Sequence, residues 1–328
     1  MSNSSKLFGH LAVFLAYTIF GFNIIVCKEL SNSNLISPLG LFSFRAIGAM
    51  VLFWITSFIL WLKKTASSYN PSMETFKDAA KRNYEHVEKK DLMKIFIASM
   101  LGLFLTQYTF LKGITLTTSL DCSIIIVTTP IFTMFVAAIV LKEPITIKKA
   151  LGVVISFVGI LALIFYSAHT DNGVTKTSPI GVIYLLSNCL CFALYLGTFR
   201  PLISKYSVVT FMKWMFLFSF IASIPFSFKE ISSLDYSIIP KNYYMELAFL
   251  VICSTFIAYF LIPIGQKRLR PTVISLYTYV QPLIASGMSI YLKQDTIGWQ
   301  KILAAVAVIT GVVLVNKSRA AENNNSSN

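Results

Sequence analysis

Apolar residues fall into ten runs along the chain: 7–27, 39–62, 92–112, 119–141, 148–167, 179–199, 208–226, 244–266, 271–292 and 298–316. Each run has roughly the twenty residues a helix needs to cross a hydrocarbon core at 1.5 Å per residue. The connections are mostly short, so consecutive helices are antiparallel neighbours. The pattern predicts an all-α integral membrane protein with ten transmembrane helices. The first run, Leu7–Val26, has neither a strongly basic leader nor a clear small-residue cleavage site, so it reads as a retained span. The longest polar stretch is the loop 63–91, where Glu74, Lys77, Asp78, Lys81, Arg82 and Glu85 have the spacing of a short surface helix. The polar tail 317–328 is expected to be disordered.

The runs also repeat. At an offset of 152, Gly113 meets Gly265, Pro130 meets Pro282, Glu143 meets Asp295 and Gly159 meets Gly311. At an offset of 172, Gly9 meets Gly181 and Lys28 meets Arg200, more loosely. The chain therefore divides into a five-helix repeat over 7–167 and a second over 179–316. Five is odd, so the second repeat enters the membrane upside down. The expected architecture is two inverted five-helix repeats about a pseudo-twofold axis in the membrane plane, a common footprint of alternating-access transporters.

Composition agrees with a membrane chain: 55% of residues are hydrophobic and 13% charged, against about a quarter charged in a soluble domain. The net charge of +14 does not point to nucleic acid, because no basic stripe with interleaved aromatics lies outside the apolar runs. The basic residues cluster instead in loops on one side, at Lys63-Lys64, Lys148-Lys149, Lys267-Arg268-Arg270 and Lys317-Arg319. The other side holds only Lys28, Lys112, Lys176, Lys229, Lys241, Lys293 and Lys301. This bias places both termini in the cytoplasm. The five cysteines sit in or beside apolar runs and show no zinc or disulfide spacing.

Polar groups deep in apolar runs are the candidate functional residues, because they cost stability unless they meet partners or water. Pro130 and Pro282 lie mid-helix at matching positions and predict paired kinks or hinges. Thr129 and Gln281 precede them and are themselves a repeat pair. Asn23, Gln107, Tyr108 and Asn188 are further embedded polar groups, and Tyr195, Trp214, Tyr259 and Tyr277 are candidate aromatic walls. Two readings fit Arg45: attraction of an anionic group such as a carboxylate, or a structural role by snorkelling or pairing with Asp121. Lys213 reads as snorkelling to the near surface. The pairs Ala98/Gly102, Gly152/Ser156 and Ala307/Gly311 suit close helix packing. No carboxylate lies at the centre of a run, the three histidines sit at edges, and no motif of an ATPase or hydrolase is present. No metal, cofactor or enzymatic activity is expected.

Several segments together resemble the EamA branch of the drug/metabolite transporter superfamily. They are Phe44-Arg45-Ala46, Thr128-Thr129-Pro130, the turn Leu141-Lys142-Glu143-Pro144-Ile145-Thr146 and the Gly-rich helix Gly152–Leu163. The second copy departs from the turn with Lys293-Gln294-Asp295-Thr296. The resemblance implies a secondary transporter of the bacterial inner membrane, often an exporter of amino acids or other small metabolites. Its central cavity is formed by eight helices, with helices five and ten at the rim. An uptake permease or a carrier of phosphorylated solutes on the same fold, and a membrane scaffold, are the rival readings. A small-molecule substrate and the lipid bilayer are the expected partners, and a homodimer is left open.

Overall fold

The computed structural model describes residues 3–33, 35–69, 75–141, 146–169, 177–232, 240–292 and 298–325. The turn 142–145 and its counterpart 293–297 lie outside these residues. All regular elements among the described residues are helical. They are α1 (Asn3–Asn32), α2 (Pro38–Ser68), α3 (Phe76–Asn83) and α4, which runs as Lys89–Ser99, a π-helical turn Met100–Leu105 and Thr106–Thr115. Next come α5 (Ser119–Ile126 and Thr129–Leu141), α6 (Ile147–His169), α7 (Pro179–Thr198), α8 (Arg200–Lys205) and α9 (Val208–Ser232). Then follow α10 (Lys241–Phe249, a π-helical turn Leu250–Ile257, Ala258–Arg268) and α11 (Pro271–Leu276, a 3-10 turn Tyr277–Tyr279, Val280–Tyr291). The last is α12 (Trp299–Asn325), which continues past the end of its apolar run.

Seven of these helices are long and apolar enough to cross a membrane. Three shorter apolar stretches, Ala150–Ala162, Val273–Ala285 and Ile302–Leu314, fall within the remaining three apolar runs of the sequence. The surface helix expected in the 63–91 loop is α3. Thr75 caps it, accepting from the amide of Asp78. Trp61 on α2 donates to the carbonyl of Ala80 at 2.9 Å, which ties α3 to the end of α2.

The twofold relation is written in the close contacts. A Cβ built on Gly181 would lie 2.8 Å from Leu116 Cβ, and one on Gly9 would lie 2.9 Å from Arg268 Cβ. Gly113 abuts Leu185 and the Gly181 carbonyl, while Gly265 abuts Val13 and the Gly9 carbonyl. Each contact in one half reappears in the other with its members exchanged at offsets of 152 and 172, as a twofold axis requires. Two hydrogen bonds join residues to partners 152 positions away: Gln107 Nε2 to Tyr259 OH at 2.7 Å, and Ser156 Oγ to Val308 O at 3.0 Å. The first links repeat mates and the second links mated positions, so both lie on the axis.

Prolines and threonines make the breaks of α5 and α11. Pro130 lacks the N–H that would bond the carbonyl four residues earlier. That carbonyl, Ile126 O, accepts instead from Thr129 Oγ at 2.7 Å. Thr128 Oγ likewise bonds Ile125 O at 2.7 Å. Pro282 follows the 3-10 turn in α11, where Thr278 Oγ bonds Ser275 O at 2.7 Å. The π-helical turns were not legible in the sequence. They are also sealed by threonines: Thr106 Oγ bonds Leu101 O at 2.5 Å and Thr255 Oγ bonds Leu250 O at 2.6 Å, both five residues back.

At one end of the bundle a polar latch ties the first half to the second. Lys205 Nζ lies 2.7 Å from both Glu88 Oε1 and Asp91 Oδ2, and Tyr206 OH donates to the same Asp91 oxygen at 2.7 Å. The Ser207 hydroxyl and amide donate to Glu85, and Lys267 donates to the Tyr206 carbonyl. The bonds to Asp91 and then Glu88 hold the Lys205 ammonium above its ordinary pKa. Burial pushes the Glu85 carboxyl up, but bonds from Ser207 and Thr210 outweigh it and hold it below the usual value. Asp91 is the buried member, with 6% of its side chain exposed against 64% for Glu88. Exposed ion pairs contribute little. Asp91→Asn should therefore lower the thermal midpoint of the purified protein measurably while Glu88→Gln leaves it unchanged; equal shifts would show that the latch does not depend on Asp91.

Candidate functional site

The buried apolar side chains form two clusters. One gathers Ile24, Leu30, Phe42, Phe110, Ile114 and Ile126, the other Val13, Tyr17, Phe53, Phe192, Phe211 and Tyr259. Between them lies a polar chamber of about 70 Å³, several times the roughly 10–15 Å³ that one water needs on the same measure. Side chains from both clusters line it, among them Ile24, Phe110 and Ile126 of the first and Tyr17, Phe192 and Tyr259 of the second.

Of the residues singled out in the sequence, Asn23, Arg45, Gln107, Thr129, Asn188, Tyr259 and Gln281 line this chamber. They come from α1, α2, α4, α5, α7, α10 and α11. The repeat pairs Thr129/Gln281 and Gln107/Tyr259 are both present, so the chamber straddles the twofold axis. Asn188 Nδ2 donates to Thr106 O at 2.7 Å, which docks α7 on the α4 π-turn and leaves the Asn188 oxygen to the chamber. The side chain of Gln281 is 5% exposed and has no hydrogen-bond partner among the described residues.

Four sequence candidates lie elsewhere. Tyr108 stacks on Phe104 and meets Tyr184 edge-on. Tyr195 packs against Gly102, where an added Cβ would lie 2.5 Å from its ring, and donates to Gln266 Oε1 at 3.2 Å. Trp214 packs on Trp54 and Phe218. Tyr277 lies about one turn before Gln281 on α11 and outside the chamber, with its hydroxyl 2.7 Å from His10 Nδ1. Sharing a helical face with Gln281 did not put it in the chamber, because the 3-10 turn Tyr277–Tyr279 changes the phase between them. Pro130 is buried behind Thr129, and Pro282 faces away from the chamber toward α12.

Among the described residues, Arg45 is the only charged one lining the chamber. It is 1% exposed and has no carboxylate partner among the described residues. Its Nε donates to Thr255 Oγ at 2.9 Å, while Nη2 reaches Ser254 Oγ at 3.4 Å and Nη1 reaches Cys27 Sγ at 3.7 Å. The Nη2 contact is long and the Nη1 contact is to a weakly accepting thiol, so that edge of the fork is held less firmly than Nε. Asp121 is not its partner: that carboxylate is fully buried and accepts from Thr177, just before the second repeat. Lys213 runs toward the 63–91 loop but stays covered. It is 3% exposed, donates to Ser57 Oγ at 3.0 Å and lies over the rings of Trp54 and Tyr84.

Sequence reasoning missed Tyr17, Thr106 and Thr278 among the polar lining residues. The Tyr17 hydroxyl is buried and has no hydrogen-bond partner among the described residues. Its ring meets Phe20 edge-on, and Phe20 meets Tyr259 in the same way, so an aromatic row closes one side. Tyr17 is one of 15 tyrosines, and nothing in its sequence context marks it out from those that pack elsewhere.

The profile of the EamA-like transporter family matches residues 7–165 and again 179–317. The chain belongs to the EamA-like transporter family. It is similar to the uncharacterized transporter YetK of Bacillus subtilis (strain 168), with 24% identity over 234 residues and 70% of each chain covered. An uncharacterized transporter of Archaeoglobus fulgidus is 24% identical over 238 residues, covering 72% of this chain and 81% of that one. A solved crystal structure shares the fold across 96% of both chains at a TM-score of 0.59 and 13% identity. The protein is thus a multi-span membrane transporter with a small-molecule substrate, built from two inverted helical repeats.

Proposed function

We propose that this EamA-like transporter exports amino acids or related small carboxylate-bearing solutes across a bacterial inner membrane by alternating access, with both termini in the cytoplasm. The observation that carries this reading is Arg45: a buried, permanent cation without a carboxylate partner, facing a solute-sized chamber. Guanidinium forks match carboxylate geometry, and water exclusion strengthens the attraction. Asn23, Thr129, Asn188 and Gln281 supply hydrogen bonds, and Tyr17, Phe20, Phe110, Phe192 and Tyr259 supply apolar walls. A single chamber cation suits a monoanionic headgroup better than a phosphate ester. The charge bias of the loops supports the orientation.

Purified protein in proteoliposomes, tested against labelled amino acids, amines and sugars with and without a pH gradient, decides the class. Carboxylate-bearing solutes should move and neutral sugars should not; movement of sugars or amines alone would overturn the reading. Counterflow from preloaded vesicles sets the direction. Thr129→Ala and Gln281→Ala should each lower transport about 5–10-fold, the scale of one net hydrogen bond, with membrane insertion intact. Unchanged rates would remove them from the site.

A further inference from the structure

The Gln107–Tyr259 bond lies in the wall of the chamber, which the broken helices α5 and α11 also line through Ile126, Thr129, Thr278 and Gln281, and Ser156–Val308 joins α6 to α12. Between the broken helices and α12 lies a second cavity of about 420 Å³. Its walls include Ile124, Val127, Tyr279, Pro282, Ala305 and Val306. Val127 and Tyr279 are repeat mates, so this cavity also sits near the axis. Ile126 and Thr278 face the chamber while their chain neighbours Val127 and Tyr279 face the second cavity. Adjacent residues of the broken segments of α5 and α11 thus line the two spaces.

We propose that this cavity is a binding site for one acyl chain of a bilayer lipid, held against the back of the two broken helices. Every lining side chain except Tyr279 is hydrocarbon or proline. A large apolar void does not hold water, and left empty it forfeits the contacts of its walls. Its rim is continuous with the lipid-facing surface: Leu283 is 76% exposed, Ile302 52% and Val306 54%. Hydrocarbon tails are the solvent on that surface, so an acyl chain enters without desolvating a polar group. Once inside, it touches Val127 and Pro282 at the kinks, where it can favour one packing of α5 and α11 over another.

The test uses the whole protein in vesicles containing a phospholipid with a photoactivatable diazirine near the end of one acyl chain. Illumination should label peptides carrying Val127, Pro282–Leu283 and Ala305–Val306 several-fold more heavily than Phe226 and Phe228, which are 61% and 70% exposed on α9. Ala305→Trp, which fills the cavity, should abolish the excess, and Ala305→Phe serves if the larger ring prevents folding. Labelling no heavier than on α9, or an excess that survives filling, would overturn the proposal. So would efficient disulfide dimers of Val306→Cys, which would mean that a second copy covers the site. None of these readouts depends on which solute is carried, so this inference can fail while the transport reading stands.

Discussion

Replacing Arg45 by methionine should do two opposite things: transport of carboxylate-bearing solutes should fall about 10–150-fold, and the protein should become more stable. The loss follows from the strength of a charge-assisted hydrogen bond, about 1.5–3 kcal/mol, if the guanidinium grips the solute. The gain follows from the arrangement without solute. Arg45 is fully buried, and its neighbours are two hydroxyls and a thiol, only one of them within 3 Å. Exchanging such buried charge for apolar side chains of similar size is often neutral or stabilising by about 1–4 kcal/mol. A residue kept at a cost to stability is the mark of a site built for something else. Arg45→Lys keeps the charge and loses the fork, so it should retain part of the activity. Uptake assays and thermal midpoints on the three proteins give the answer. If Arg45→Met is strongly destabilised and transports carboxylates as before, the guanidinium is a structural strut bonded to Thr255 and no anion site.

The fold was legible because its signals are periodic and redundant. Ten apolar runs, a constant offset of 152 and the odd number of helices per half fix an inverted repeat without any knowledge of contacts. The chamber was partly legible for a different reason. Asn23, Gln107, Asn188 and Gln281 are expensive in hydrocarbon, so their positions alone point inward. Aromatic residues carry no such signal: tyrosine is equally at home in core, interface and cavity. Tyr108, Tyr195, Trp214 and Tyr277 therefore read like Tyr17 and Tyr259 in sequence, though only the last two reach the chamber. The π-turns of α4 and α10 shift helical phase by a residue, and a sequence of Met, Leu, Gly and Phe gives no warning of that. The partner assigned to Arg45 failed for a related reason. Depth along a helix placed Asp121 at the right level, but it is bound to Thr177 on the linker side of α5.

The contact between α6 and α12 yields a sharp ranking of glycine substitutions. A Cβ on Gly311 would lie 2.3 Å from the Gly152 carbonyl oxygen and 2.7 Å from the Ser156 amide, both backbone atoms that cannot turn aside. On Gly159 the nearest atoms are the Ala304 carbonyl oxygen and a Val308 methyl, each at 2.9 Å. On Gly287, also mid-helix, nothing lies within 4 Å. Close backbone approach drives helix association where solvent is apolar, because the hydrophobic effect gives no help there. Gly311→Ala should therefore force α6 and α12 apart and cost at least the roughly 1–3 kcal/mol typical of overpacking. Gly159→Ala should cost less, since the valine methyl can give. Gly287→Ala should be neutral or stabilising by about 0.5–1 kcal/mol, because glycine is a poor helix former. Thermal midpoints in detergent measure the order. The reciprocity of the two repeats makes the comparison demanding: Gly311 faces Gly152, while its mate Gly159 faces Ala304, the residue at the position matching Gly152. A second methyl is already accommodated on one side of the axis and on the other it is not. If Gly311→Ala behaves like Gly287→Ala, the two helices do not meet backbone to backbone, and the clasp at the end of the axis is not what holds them together.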